Sequence, residues 1–399
     1  MEDVNILQLG IEHPARTIPF EDLVKGLYAE VAKGNINVNS HPLYPELVIF
    51  KYTPQCTYEK QWNVFTMIAR GLVLDLKERK VVATPFIKFF NYGEVNNSSI
   101  DFKSEFTAHE KMDGSLGIVF FAKDQWMTAT GGSFASEQAI WGNKWLHSHV
   151  NMEAMDCTNT YLFEIIYPEN KIVVNYDFSG LVLLSIFNNF GIEYPMDSLP
   201  KEADFLRVRC ANIYDFKNID DVISNAKGLD FNSEGYVIRF KKDGYRLKIK
   251  GDEYVRIHRI VSGVTPLAIW EAMKNKIDYT DVRKEMPEEI QKDFDQILSI
   301  LNNQYDSFIN EVKFLYESTK SFSDKELGLL LQKRESSLFD KCKHPESKYF
   351  IFSMRKILAT PEKDMDVLRS KVFMIIRPKN NKIEGYVPSS VANRFSEDF

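Results

Sequence analysis

The sequence predicts an α+β protein, with a core of short, mostly antiparallel strands followed by an all-helical C-terminal part. Two observations carry this. Between about residues 47 and 250, short β-branched or aromatic runs alternate with Gly, Asn and Asp breaks, and the connections are short. After about residue 260 the apolar residues recur at helical spacing instead. The size is consistent with this: 399 residues, 44% hydrophobic and 27% charged, suit two or three folded domains. They exclude a mostly disordered chain and a collagen-like one.

Residues 1–46 read as a helical lead-in, because Phe20, Leu23, Val24, Leu27, Tyr28 and Val31 fall on one helical face. Nine strands follow: Leu47–Tyr52, Gly71–Leu76, Val81–Pro85, Leu116–Ala122, Trp126–Thr130, Tyr161–Tyr167, Leu181–Phe187, Gly235–Phe240 and Tyr245–Lys250. A helix is expected across 134–149, opening after Ser133. Thr265-Pro266 is an N-cap followed by proline at the first helical position, introducing LAIWEAM. From Ile290 to Leu315 the apolar steps of three and four residues describe one long amphipathic helix. Ser323 can cap a helix through Leu331, and Pro361 starts another. The expected division is therefore 1–260 and 261–399, with no internal repeat.

The net charge of −6 excludes a general polyanion binder, but it conceals an uneven distribution. Residues 271–330 hold 8 Lys/Arg against 13 Asp/Glu, whereas 331–382 hold 13 against 6. The second stretch is a candidate footprint for a phosphate backbone, the alternative being a solvated charged face. Cys56, Cys157, Cys210 and Cys342 form no CxxC pair, so neither a disulfide framework nor a structural zinc site is expected. No apolar run approaches the ~20 residues of a membrane helix. The first ten residues lack a basic region followed by an apolar one, which makes a cytoplasmic location the expectation.

The first chemical signal is Glu110-Lys111-Met112-Asp113-Gly114, between strand-like FTAHE and LGIVFF. Lysine is a nucleophile only when deprotonated, and a lysine at a strand–loop junction can sit at the floor of a cleft. Taken alone, K-x-D-G is as well explained by a hairpin turn. It is not alone. Glu164 lies in a strand, able to face a polar side while Phe163 and Ile165 face the core. Glu234 precedes Gly235 at a strand start, and Lys248 and Lys250 stand two apart, on one face of a strand. An amine, carboxylates for a metal or ribose, and two cations for phosphate together suit nucleotidyl transfer through a lysine phosphoramidate.

The order K-x-D-G, F-E, E-G, K-x-K resembles the covalent lysyl-nucleotidyltransferase superfamily of ATP-dependent ligases and mRNA capping enzymes. It is most similar to the phage RNA ligase 1 type, the tRNA-repair ligase of T-even phages. Ala69-Arg70-Gly71, Pro85–Asn91, Gly132–Gln138, Pro168–Val173 and Lys250–Val255 add to the likeness, which spans roughly residues 45–260. The resemblance implies an antiparallel-sheet nucleotidyltransferase core of ATP-grasp-like ligase character, with the helical C-terminal domain helping to choose the RNA. It implies that Lys111 attacks the α-phosphorus of ATP and holds AMP. Asp113 and Gly114 would shape the nucleotide loop, beside Glu110. Glu164 would contact the ribose or, with Glu234, a divalent metal, Mg²⁺ or Mn²⁺. Lys248 and Lys250 would neutralise phosphates, and Arg70, Lys88 and Phe90 would serve the nucleotide or its triphosphate. The implied activity joins RNA 5′-phosphate and 3′-hydroxyl ends, a nicked tRNA among them, in the cytoplasm or, for a phage-encoded chain, that of the host. No membrane partner is implied, and a monomer is expected.

This sequence departs from the family pattern at Gly131, where many relatives carry a basic residue before the Gly-Ser pair. Glu384-Gly-Tyr-Val387 repeats the Glu234 motif, but no K-x-K strand follows it, so it reads as a decoy. His109 and His258 flank motifs and read as packed or exposed histidines. Three alternatives stay open: a DNA ligase, a capping guanylyltransferase, and a non-catalytic RNA end-binding protein. The helical period after residue 260 counts against the first two, which would be followed by an OB-type barrel. The intact lysines and carboxylates count against the third.

Overall fold

The computed structural model describes residues 12–94, 100–286, 288–332, 338–339, 342–359 and 361–387. The chain forms two compact units, one ending at His258 and the other beginning at Arg259.

The first unit carries three sheets. In chain order the strands are β1 (Ile36–Ser40), β2 (Leu47–Tyr52), β3 (Arg70–Asp75), β4 (Lys80–Ala83), β5 (Phe90–Asn91), β6 (Phe106–Glu110) and β7 (Ser115–Ala122). They continue with β8 (Gln125–Ala129), β9 (Thr160–Ile166), β10 (Gly180–Phe187), β11 (Arg209–Cys210), β12 (Ile213–Tyr214), β13 (Gly235–Phe240) and β14 (Arg246–Lys250). The sheets run β1-β2-β3-β4, β11-β10-β9-β7-β8 and β12-β6-β13-β14-β5. Pairings are antiparallel except β10 with β11 and β14 with β5.

Period-two burial explains the layering. Val48, Phe50, Leu72 and Leu74 on one side of the first sheet pack on Leu23 and Leu27 of the helix Phe20–Ala32. Ile49 and Val73 on the other side meet Ile118, Phe120 and Leu162 of the second sheet. Phe163 and Ile165 of β9 then face the helices Glu137–His149 and Leu199–Leu206. In the third sheet Tyr236, Ile238, Leu247 and Ile249 pack on Val222 and Ala226 of the helix Ile219–Lys227. Alternation therefore turns Arg246, Lys248 and Lys250 to the opposite face, as the two-residue spacing requires.

Two expectations are corrected. The lead-in is not purely helical: its polar INVNS segment is β1, paired with β2 along its length. The helix expected from Ser133 begins at Glu137. Its cap is Ser136, whose Oγ accepts from the Ala139 N–H at 3.2 Å, while the Ser133 Oγ accepts from the Ala135 N–H instead.

The second unit is helical among the described residues. Its spine is Glu288–Thr319, with Phe294, Ile297, Leu301, Phe308, Val312 and Leu315 buried. Around it lie Pro266–Lys274, Thr280–Glu285, Asp324–Gln332, Ile351–Ala359 and Pro361–Ile375. Thr265 caps the first of these by accepting from the Ala268 N–H. Ser323 and Glu326 bond reciprocally at the start of Asp324–Gln332, a capping box. No helix of the described residues is long and apolar enough to cross a membrane.

Candidate active site

Strands β6 and β13 pair so that Tyr236 stands opposite Glu110, and the pairing continues one residue further as the Lys111 N–H donates to Gly235 O at 2.9 Å. Gly235 has φ +133°, and a Cβ there would lie 2.1 Å from Ile249 O. Only glycine fits this crossing, and the crossing aligns Lys111, Glu234 and Lys250. The Lys111 ammonium donates to Glu234 Oε2 at 2.5 Å, and Lys250 Nζ lies 3.0 Å from Oε1. Glu234 is only 4% exposed, so two lysines share one buried carboxylate. Burial alone would raise the Glu234 carboxyl, but the charges of Lys111 and Lys250 outweigh it and hold the pKa below its ordinary value. Burial likewise opposes the Lys111 charge, but Glu234 and Glu164 reverse this, so Lys111 stands as an ammonium with a raised pKa.

The Asp113-Gly114 turn is built into the site. Asp113 is 3% exposed; one oxygen accepts from the Val173 and Val174 N–H groups at 2.9 Å each, the other from the Tyr254 hydroxyl at 2.8 Å. Its own N–H donates to Tyr176 Oη. Asp113 therefore fixes the loop from beneath. The Gly114 N–H donates to Glu164 Oε1 at 3.1 Å, and a Cβ on Gly114 would lie 2.6 Å from Ile165 O. Burial pushes the Glu164 carboxyl up to about 8; Glu234 and Asp113 reinforce this against the opposing charge of Lys111. Glu110 is tied at the edge, accepting from Asn212 Nδ2.

A group of cations completes the site. Arg70 and Lys248 stand over the same ring, Phe89, at 4.9 and 5.0 Å from its centroid. The Arg70 Nη1 atom is buried and has no hydrogen-bond partner among the described residues. Burial pushes the Lys248 pKa well down, and Arg70, Lys111, Lys88 and Lys250 push it further. Lys88 Nζ lies 5.5, 5.2 and 5.1 Å from the rings of Tyr52, Trp62 and Phe90, an aromatic cage. Phe90 itself is 2% exposed and meets Trp62 edge-on, so it touches Lys88 from within the core. Burial and the charge of Arg70 lower the Lys88 pKa. Arg70, Lys88 and Lys248 form no ion pair among the described residues. Three largely desolvated cations with no ion-paired carboxylate among the described residues, next to a lysine and two carboxylates, can bind a polyphosphate and present an amine to it.

The structure thus brings together Arg70, Lys88, Phe90, Lys111, Asp113, Gly114, Glu164, Glu234, Lys248 and Lys250, with Glu110 at the margin. Sequence reasoning missed Tyr52, Trp62, Tyr176 and Tyr254. Tyr254 lay inside the Lys250–Val255 segment, which was the signal for it; the two cage aromatics looked like ordinary core. At Gly131 a Cβ would meet nothing within 4 Å, so no packing demands glycine there. Beside it, the Lys51 side chain lies against Gly132. His109 is buried in the third sheet, and burial lowers its pKa to about 4. Glu384 is exposed in a turn of the second unit, where the Tyr386 hydroxyl donates to Asp293.

Residues 68–254 match the family model described as RNA ligase. Just under half of the chain is therefore similar to the RNA ligase family. The matched span begins two residues before Arg70 and ends at Tyr254, so it holds every residue of the cluster except Tyr52 and Trp62. A protein of the Autographa californica nuclear polyhedrosis virus, named as a proposed bifunctional polynucleotide kinase/RNA ligase, is 26% identical over 217 residues, 48% of this chain and 30% of that protein. The chain thus spans under a third of that relative's length. An RNA ligase of Rhodothermus phage RM378 is 22% identical over 339 residues, covering 67% of this chain and 76% of its own. Among solved structures, an archaeal ATP-dependent RNA ligase is 13% identical over 72% of this chain and 83% of its own, with a TM-score of 0.46.

The basic stretch 331–382 lies outside the matched span. Its Lys333, Arg334 and Lys341 fall outside the described residues. Of the others, Arg355 pairs with Asp324 and donates to the carbonyls of Thr319 and Phe322, and Arg369 donates to Met273 O. Part of that charge therefore serves the unit's own packing.

Proposed function

We propose that the chain is an ATP-dependent RNA ligase that joins a 5′-phosphate end to a 3′-hydroxyl end through a lysyl-AMP intermediate. The observation that carries the reading is the Lys111–Glu234–Lys250 arrangement beside three cations that form no ion pair among the described residues, inside the segment matched to the RNA ligase family.

In the first step Lys111 Nζ attacks the α-phosphorus of ATP and pyrophosphate leaves. Lys248, Lys250, Arg70 and Lys88 bind and neutralise the phosphates, and the cage of Tyr52, Trp62 and Phe90 fixes the direction of the Lys88 ammonium. Lys111 must lose its proton before it attacks, and its pairing with Glu234 opposes that. Engaging Glu234 elsewhere removes the opposition, while burial continues to favour the neutral amine. AMP then passes to the RNA 5′-phosphate, and the 3′-hydroxyl of the second end displaces it.

A divalent ion fits the donor set. Glu234 and Glu164 are hard oxygen ligands close to Lys111, and among the described residues no three His, Cys, Asp or Glu side chains group into an all-protein metal site. Two carboxylates completed by phosphate oxygens and water suit Mg²⁺ or Mn²⁺. When bound, such an ion supplies charge neutralisation to the displacement. Repair of broken RNA, a nicked tRNA among the candidates, is the role we assign.

The test is incubation of the purified protein with labelled ATP and Mg²⁺. An acid-labile, alkali-stable AMP adduct that is absent from Lys111→Ala supports the reading. A GMP adduct instead would make the protein a capping-type enzyme, and no adduct with either nucleotide would refute ligase chemistry.

A further inference from the structure

The second unit holds a cavity of about 390 Å³ that the proposed chemistry does not use. Its volume falls within the ~300–1,000 Å³ range of small-ligand sites. It opens between the helices Pro266–Lys274, Glu288–Thr319 and Pro361–Ile375. The wall is aromatic: Tyr305 and Phe373 stack with centroids 5.3 Å apart, and Phe373 is buried while Tyr305 is half-buried. Arg369 lies over both rings, 5.6 and 4.5 Å from their centroids. One of its terminal nitrogens donates to Met273 O, which fixes the guanidinium, but its Nε is buried and has no acceptor among the described residues. A buried N–H without an acceptor is unfavourable unless a ligand supplies one. Asn302 and Asp306 stand one helical turn apart at the same wall, exposed and making no hydrogen bond or ion pair among the described residues.

We propose that this cavity takes one unpaired base of the RNA, with guanine preferred. The proposal rests on the reading of the chain as an RNA-joining enzyme. An unstacked base needs a ring or guanidinium plane to lie against, and the half-buried Tyr305 and Arg369 both line the cavity; it also needs partners for its edge. Arg369 donates to a base carbonyl or ring nitrogen, the pairing that guanine accepts through O6 and N7. Asp306 only accepts, and its two oxygens match the adjacent N1–H and N2–H donors that guanine alone among the four bases presents side by side. Asn302 can both donate and accept beside it. The net charge of the wall is near zero, because Lys276 is paired with Asp366. That suits a base better than a bare phosphate.

The test measures fluorescence anisotropy of the full chain, without ATP, on a labelled single-stranded RNA containing guanosines and on the same RNA with inosine in their place. Inosine lacks the 2-amino donor. The unaltered protein is expected to bind the guanosine RNA about tenfold more tightly, the loss of one hydrogen bond to a charged group. In Asp306→Asn that preference is expected to vanish; Asp306 is exposed and unpaired, so the variant keeps its fold. Equal affinity of the unaltered protein for both RNAs overturns the proposal, as does an unchanged preference in Asp306→Asn. Free GMP binding as tightly as the RNA would overturn the RNA as occupant. Self-adenylylation of the unaltered protein is measured in parallel. Its absence would strike the ligase reading, whereas an adduct formed without guanosine preference would strike only the pocket.

Discussion

The Glu164 carboxyl offers a quantitative test of the site's electrostatics. Burial holds its pKa at about 8 in the folded protein, against 4.5 ordinarily. Between those values the folded state keeps a proton that the unfolded chain has released. Stability that Glu164 contributes at low pH is therefore lost as pH rises to about 8, at up to ~1.4 kcal/mol per pH unit. Glutamine keeps an oxygen for the Gly114 N–H but cannot ionise. From pH 6 to pH 8.5, Glu164→Gln should thus gain on the unaltered protein by up to ~2.7 kcal/mol. Glu164 retains some contact with the open cleft, so about half of that is the expected figure. The assay is urea denaturation of both proteins at the two pH values in EDTA, which keeps divalent ions off the carboxylates. Taking the difference between the proteins removes the contributions of His13 and His109, whose pKa values burial lowers to about 3 and 4. Parallel stability profiles, or a variant that loses ground at pH 8.5, would mean that Glu164 is ionised throughout, contradicting the electrostatics argued for the site.

Three further outcomes are expected. Lys111→Arg should form no AMP adduct, because a guanidinium stays protonated and cannot attack phosphorus; an adduct in that variant would remove Lys111 from the reaction. Gly114→Ala would set a Cβ 2.6 Å from the Ile165 carbonyl and 2.7 Å from Ile166 Cδ1, so a urea midpoint corresponding to a loss of ~1–3 kcal/mol is expected, with slower self-adenylylation. Tyr254→Phe deletes one of three donors to the buried Asp113 carboxylate and should cost ~1–3 kcal/mol in the same assay, where an unchanged midpoint would show that water replaces the hydroxyl.

The parts of the fold that the sequence displayed were those governed by local periodicity. β2, β7, β9, β10 and β13 are apolar runs bounded by turn residues, and the helix Glu288–Thr319 repeats its apolar step over many turns. β1 escaped because Asn37, Asn39 and Ser40 make it half polar, while β5, β11 and β12 are two-residue strands with no pattern to read. The same division holds in the site. Lys248 and Lys250 could be placed on one face because strand geometry is a local rule. The bond from Tyr254 to Asp113 spans 141 residues, and the cage around Lys88 gathers aromatics from 52, 62 and 90. No periodicity encodes such meetings; they follow from the packing of whole sheets.

The site is built against the interest of the fold. Burying a cation without a paired counter-charge is unfavourable, and Arg70, Lys88 and Lys248 are held together with no ion pair among the described residues while two lysines compete for Glu234. Aromatic faces soften this, since Phe89 lies under Arg70 and Lys248, and three rings surround Lys88. A ring quadrupole offsets part of the desolvation of a cation without neutralising it, which a carboxylate would do. Rings therefore keep these cations in place and leave their charge available. A carboxylate in the position of Phe89 would stabilise the free protein and repel the phosphates proposed to bind there. The choice of aromatic residues over acidic ones around Arg70, Lys88 and Lys248 is what marks this cluster as a place for an anion rather than an internal salt-bridge network.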